Sequence, residues 1–196
     1  MFLALIAACS GNPAEEAPAA SVEEAPTEVV EAAPAAPAGD AWAVDASTSK
    51  IDFVGAKVTG SHDGGFNSYE GKLYVDAGKA TGTEFTIDTA SVWSDADKLT
   101  SHLKDEDFFF VEQFPSATFK STSIGEDGTV KGILDFRGVS KELEFPATIS
   151  VTEESATLKA EFSMNRKDWG VEYSGKADNL IEDLVLIKLD LTFPKA

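Results

Sequence analysis

Cysteine is almost missing from this chain: Cys9 is its only one. A lone cysteine excludes an internal disulfide, so in an oxidising compartment the fold must rest on its apolar core. Histidine is nearly as scarce, with only His62 and His102, forty residues apart. No Gly-rich phosphate loop, no G-x-S-x-G elbow and no H-E-x-x-H run is present, so the commonest nucleotide, serine-hydrolase and zinc signatures are missing. His62 and His102 are read as a loop histidine and a helix-end histidine beside acids, and neither a metal nor a cofactor is expected. Positive charge is short too: 16 Lys and Arg stand against 34 Asp and Glu, a net charge of −18. A phosphate backbone needs a basic groove, which argues against a nucleic-acid partner.

The shortage of bases is sharpest between Ser10 and Asp40, where seven acids occur with no Lys or Arg and no aromatic residue. This Ala/Pro/Glu stretch cannot bury enough apolar area to offset the entropy of ordering, and its prolines oppose a helix. Residues 10–40 are therefore expected to be a disordered, fairly extended tether. Ahead of it, "MFLALIAAC" is too short to span a bilayer. Ile6-Ala7-Ala8-Cys9 resembles the lipobox of bacterial lipoproteins, which implies cleavage before Cys9 and diacylation of its sulfur. The basic segment that should open such a signal is missing, so the translation start is expected upstream of Met1.

From Trp42 onward aromatics appear and apolar residues recur every second position. Ala156, Leu158, Ala160, Phe162 and Met164 share one face. So do Leu143, Phe145, Ala147, Ile149 and Val151, and so do Val185, Ile187, Leu189, Leu191 and Phe193. That period belongs to half-buried antiparallel strands. Weaker strands fit "KIDFVGAK", "GKLYVD", "TEFTID", "ATFKSTSI" and "TVKGILDF", and "VTGSHDGGF" reads as a long hairpin loop turning at Asp63-Gly64-Gly65. About eight strands suit a closed barrel or a sandwich. Small residues on the face that carries Phe119 (Ala117, Ser121, Ser123) favour an enclosed space over a filled one. One interval is helical: Ser94 is placed as a cap with Asp97 three residues on, and Leu99 and Leu103 face the core.

"HLKDEDFFFVEQFP", His102 to Pro115, carries the densest chemistry. Its acids Asp105, Glu106, Asp107 and Glu112 could serve a general acid and base, but clustered acids on an acidic protein are read as a solvated face. In "NRKDWG", Arg166 either binds an anionic head group or pairs with one of the many carboxylates.

Five segments, "WAVDASTSKIDFVGAKV", "GKLYVD", "HLKDEDFFFVEQFPSATFKST", "VKGILDFRGVSKELEFPATI" and "NRKDWGV", resemble the YceI-like family in residue and order, over about Trp42 to Phe193. The resemblance implies an all-β fold: an extended eight-stranded antiparallel lipocalin-like barrel with one short helix, occupying residues 41–196. It implies a secreted bacterial protein, not an enzyme, that holds a long isoprenoid or fatty-acyl lipid. The family commonly has Asp where Phe110 stands before Val111. Candidate lining or mouth residues are Phe53, Phe85, Ile87, Phe108, Phe109, Phe119, Phe136, Phe162 and Trp169, with Arg166 and His102 as head-group candidates. Together with Cys9, and with Ser10 rather than Asp after it, the expectation is a periplasm-facing lipoprotein anchored in the outer membrane. The alternatives are a lipid- or ester-acting hydrolase using carboxylates near His102, or a surface lipoprotein with a packed barrel and no ligand.

Overall fold

The computed structural model describes residues 11–25, 37–177 and 179–195; Cys9 lies outside them. Fourteen strands and one α-helix follow in chain order: β1 (Ser21–Glu24), β2 (Asp40–Ala43), β3 (Lys50–Lys57), β4 (Gly60–Phe66), β5 (Tyr69–Asp76), β6 (Lys79–Asp88), β7 (Val92–Ser94), α1 (Asp97–Leu103), β8 (Ser116–Ile124), β9 (Thr129–Phe136), β10 (Val139–Pro146), β11 (Thr148–Val151), β12 (Ser155–Asn165), β13 (Gly175–Lys176) and β14 (Asn179–Pro194). They form two antiparallel sheets rather than one closed barrel of eight strands. The first runs β1-β10-β9-β8-β6-β5-β2, the second β11-β12-β14-β3-β4-β7, with β13 beside β14. Part of the reason lies at the corners. Pro146 ends β10 without an N–H to continue the ladder, so the chain turns at Ala147 and resumes in the other sheet as β11.

At two seams, single segments hand their hydrogen bonds from one sheet to the other. After β2, the Val44 amide donates to Gly71 and the Asp45 amide to Thr192. Before β1, Ala20 and Pro18 bond Ser163 of β12, and the next residues pair with β10. This second seam lies in the stretch expected to be a disordered tether. Residues 12–24 are folded onto the domain: Pro13–Glu15 make a 3-10 turn, Ala14 is buried against Val54 and Leu186, and Glu24 pairs with Lys141. The reason is that the outer face of the second sheet is apolar here. Val54 and Leu186 point away from the core, and the small alanines of the leader cover them.

The expected hairpin loop at "GSHDGGF" is also a strand, β4. Its two glycines do not turn the chain. A Cβ on Gly64 would lie 2.4 Å from the ring of Phe53, and one on Gly65 would lie 2.5 Å from the Asp52 carboxylate. Glycine here allows close packing rather than a bend. The helix is shorter than expected, and Ser94 does not cap it. Its N-cap is Ala96, with no side-chain cap bond, while Ser94 ends β7 and bonds the Thr100 hydroxyl at 2.9 Å.

Candidate functional site

The space between the sheets is filled at one end and hollow at the other. Trp42, Leu73, Val75, Val130, Ala156 and Phe193 are buried together at the filled end. Beyond them opens a cavity of about 230 Å³. Its middle is walled by Phe85, Phe119, Phe145 and Phe162, with the rings of Phe145 and Phe162 stacked 4.4 Å apart. Its far end is walled by Phe53, Phe136, Val171 and Ile181 and by Phe108 and Phe109, from the stretch that follows α1. Among the lining residues only Thr83, Arg166 and Glu182 are polar, and the Thr83 hydroxyl already donates to the Lys72 carbonyl.

Eight of the nine candidate lining residues meet around this one cavity: Phe53, Phe85, Ile87, Phe108, Phe109, Phe119, Phe136 and Phe162. Trp169 does not. It is fully buried in the core, where its indole N–H donates to the Leu134 carbonyl at 3.3 Å. A Trp buried this deeply has its N–H satisfied by backbone and no edge left for the cavity. Ile51, Ala117, Met164 and Leu189 also line the space. The period-two pattern had put Ala117, Met164 and Leu189 on faces shared with other lining residues, but it could not show which of them border empty space.

The stretch after α1 is held in place by polar bonds on its outer side. Arg137 donates to the carbonyls of Glu106 and Gly170, both at 2.6 Å, and the Thr89 hydroxyl donates to that of Phe114. Phe110 takes a left-handed backbone, φ 48°, which is unusual for an aromatic residue. The result turns Phe108 and Phe109 inward. Phe109 meets Phe136, Phe66 and Phe53 at ring distances of 5.3, 5.7 and 6.2 Å.

His102, a head-group candidate, is not in the lining. Its ring packs edge-on against Phe108 and Tyr173, and its Nε2 lies 2.9 Å from Asp107. It packs behind Phe108, while its neighbour Leu103 is the residue of this helix end that reaches the cavity. His62 is likewise paired outside the cavity, 2.8 Å from Asp95.

Arg166 is in the lining, but most of its hydrogen bonds go elsewhere. Between Ile181 and Val185 strand β14 advances four residues while β3 advances two, from Lys57 to Gly55. This bulge frees carbonyls from the ladder. Arg166 meets two of them: Nε donates to Glu182 at 3.0 Å and Nη2 to Ile181 at 3.4 Å, while Nη1 donates to Val171, outside the bulge. Nη2 also faces the Asp183 carboxylate at 3.5 Å, which Lys167 shares. Burial pulls the guanidinium below its ordinary pKa, and Asp183 pulls it back up. Of the five N–H groups of an arginine, one on Nη1 is left without a partner among these bonds. Glu182 was not a sequence candidate. The signal for it was the break in alternation at "NLIEDLVL", where the period-two register slips.

Comparison with known proteins follows the same outline. The YceI-like domain model matches residues 42–193. A UPF0312 protein of Pseudomonas putida F1 is 29% identical over 131 residues, which are 61% of this chain and 68% of the relative. Its counterpart in Pseudomonas fluorescens SBW25 is 30% identical over the same spans. Among solved structures, Burkholderia cenocepacia BcnA superposes with a TM-score of 0.69 at 25% identity, covering 76% of this chain and 98% of that one. A polyisoprenoid binding domain from Saccharophagus degradans, implicated in plant cell wall breakdown, gives a TM-score of 0.66 at 19% identity, covering 79% and 98%. With its strand order, its helix after β7 and its apolar cavity, this chain belongs to the YceI-like family.

Proposed function

We propose that the chain binds a single-chain amphiphilic lipid, of the polyisoprenoid or fatty-acyl class, in the cavity between its sheets. In this reading it stores or carries the lipid on the periplasmic side of a bacterial outer membrane, fastened there by acylated Cys9. The observation that carries the binding reading is the cavity itself: about 230 Å³ walled by aromatic and aliphatic side chains, with Arg166 and Glu182 the only charged residues in its lining among the described residues. A polar substrate would leave its hydrogen bonds unmade in such a space, whereas a hydrocarbon chain gains from it. Each buried methylene contributes about 0.8 kcal/mol, so ten give roughly 8 kcal/mol, near micromolar affinity before association costs. Arg166, in the cavity lining and with one Nη1 N–H unused in the bonds above, is the candidate partner for the head group. The Saccharophagus degradans domain, which has this fold, is a polyisoprenoid binding domain.

The test is mass spectrometry of an organic extract of the purified protein, together with uptake of a fluorescent prenyl or acyl probe. Lipid is expected in the extract. Ala117 is an inward lining residue, so Ala117→Phe should fill the space, abolish probe uptake and leave the circular dichroism unchanged. Lipid-free extracts with no probe uptake by the wild type, or full uptake by Ala117→Phe, would overturn the reading.

A further inference from the structure

Two large apolar side chains stand out on the surface of the described residues: Val58 is 64% exposed and Leu180 is 48% exposed. They are neighbours. Val58 lies in the β3–β4 turn and its amide donates to the Leu180 carbonyl at 3.1 Å, while the Thr59 hydroxyl bonds Asn179 at 2.9 Å. Both border an outer cleft of about 390 Å³, completed by Asn12, Glu15, Lys167 and Asp183. Ile181 and Glu182 line this cleft and also the inner cavity, so one wall separates the two. The opposite end of the sheets, at the Ala77-Gly78 turn next to Val75, is the filled end.

The leader starts at this same cleft. Asn12 donates to the Leu184 carbonyl of the bulge at 3.0 Å and accepts the Ala14 amide at 3.0 Å. Asn12 is pinned at the same cleft as Val58 and Leu180. Cys9 is three residues upstream, which limits its separation from Asn12 to about 10 Å even when fully extended. The long acidic stretch from Ser10 to Asp40 is therefore not slack between an anchor and the domain, because its first part is already bound to the domain.

We infer that Val58 and Leu180 seat on the surface of a phospholipid bilayer, so that the hollow end faces the membrane from which the lipid enters. The inference rests on the lipid-binding reading and adds to it the face by which the lipid arrives. A diacylated Cys9 would already hold the chain to the membrane, and an apolar contact beside it would fix the direction in which the domain faces. Of the acids that line the cleft, Asp183 is paired with Lys167 at 2.8 Å and with Arg166 at 3.5 Å, while Glu15 and Glu182 make no ion pair among the described residues.

The experiment uses the full chain and vesicles of phosphatidylethanolamine and phosphatidylglycerol that carry a fluorescent prenyl probe. Val58→Asp/Leu180→Asp should slow transfer from vesicle to protein by about tenfold or more, as expected when two aliphatic side chains are kept from an apolar phase. Uptake of the same probe from detergent should stay at the wild-type level, which also shows that the variant folds. Hydrogen exchange on vesicles should slow at residues 57–60 and 179–184 and stay unchanged at Ala77-Gly78. Unchanged transfer by the double variant, protection at Ala77-Gly78 instead, or a solution dimer that buries Val58 and Leu180 would each overturn the inference. If the wild type takes up no probe even from detergent, the lipid-binding reading fails, and the exchange pattern on vesicles still decides the docking face.

Discussion

The two ends of the inter-sheet space are built from the same kinds of residue and differ in how those residues meet. At the filled end Trp42, Leu73, Val75, Val130 and Phe193 interlock. At the hollow end the aromatic rings stand around a void, held from behind by hydrogen bonds to backbone: Arg137 on Glu106 and Gly170, Arg166 on the β14 bulge. Close packing stabilises the first end, and a polar frame holds the second open. Aromatic content alone therefore does not mark a binding site in this fold. What marks it is a register slip that takes a strand out of the ladder, with an arginine spent on the freed carbonyls.

The largest expected effect would break this contrast directly. Phe193→Ala, at the filled end, should cost about 4 kcal/mol in urea unfolding. Phe136→Ala, at the hollow end, should cost under about 2 kcal/mol, because its ring already faces space on one side. Equal costs would mean that both ends are packed alike. Next, deletion of residues 1–25 uncovers Val54 and Leu186 and leaves the β10 edge unpaired. It should lower stability by about 3 kcal/mol, and an unchanged urea midpoint would show that the leader only rests on the sheet. The smallest effect concerns Asp52, whose carboxyl is pushed above the usual carboxylate range by burial and then by nearby Asp63. A raised pKa means that the ionised form is the one the fold disfavours. Stability is therefore lost as the pH rises from the ordinary carboxylate value through the raised one. Asp52→Asn should stabilise slightly at neutral pH, and the gain should fade as the solution is acidified below the carboxylate range. A gain that persists there would point to another cause.

Much of this architecture could be read from the residues. The eight expected runs, read from apolar residues at a period of two, fall on nine of the fourteen strands, because "LEFPATISV" was read as one strand and is two, β10 and β11, in different sheets. The inward position of Phe53, Phe85, Phe119 and Phe162 follows from that period alone. What was not legible had local physical causes. Gly64 and Gly65 look like turn residues, and only the rings and carboxylate pressed against them show that they belong to a strand. The leader looks unfoldable by its own composition. Its stability comes from Val54 and Leu186, two outward apolar residues more than a hundred positions away in some pairings. Arg166 was read as either a head-group ligand or an ion-pair partner. It lines the cavity and pairs with Asp183, while two of its N–H groups serve the backbone of a bulge that alternation could signal only as a break.

The bond from Asn12 to Leu184 joins positions 172 residues apart. During synthesis the leader emerges first, yet its dock on β14 is among the last segments made. Closing so long a loop is slow, and contacts of this separation form late. The first residues of the domain thus wait, unprotected, until the final strand arrives. In the mature protein the same late contact belongs to the low-stability tier that opens before the core does. Early proteolysis should therefore nick residues 12–25 while the sheets remain intact.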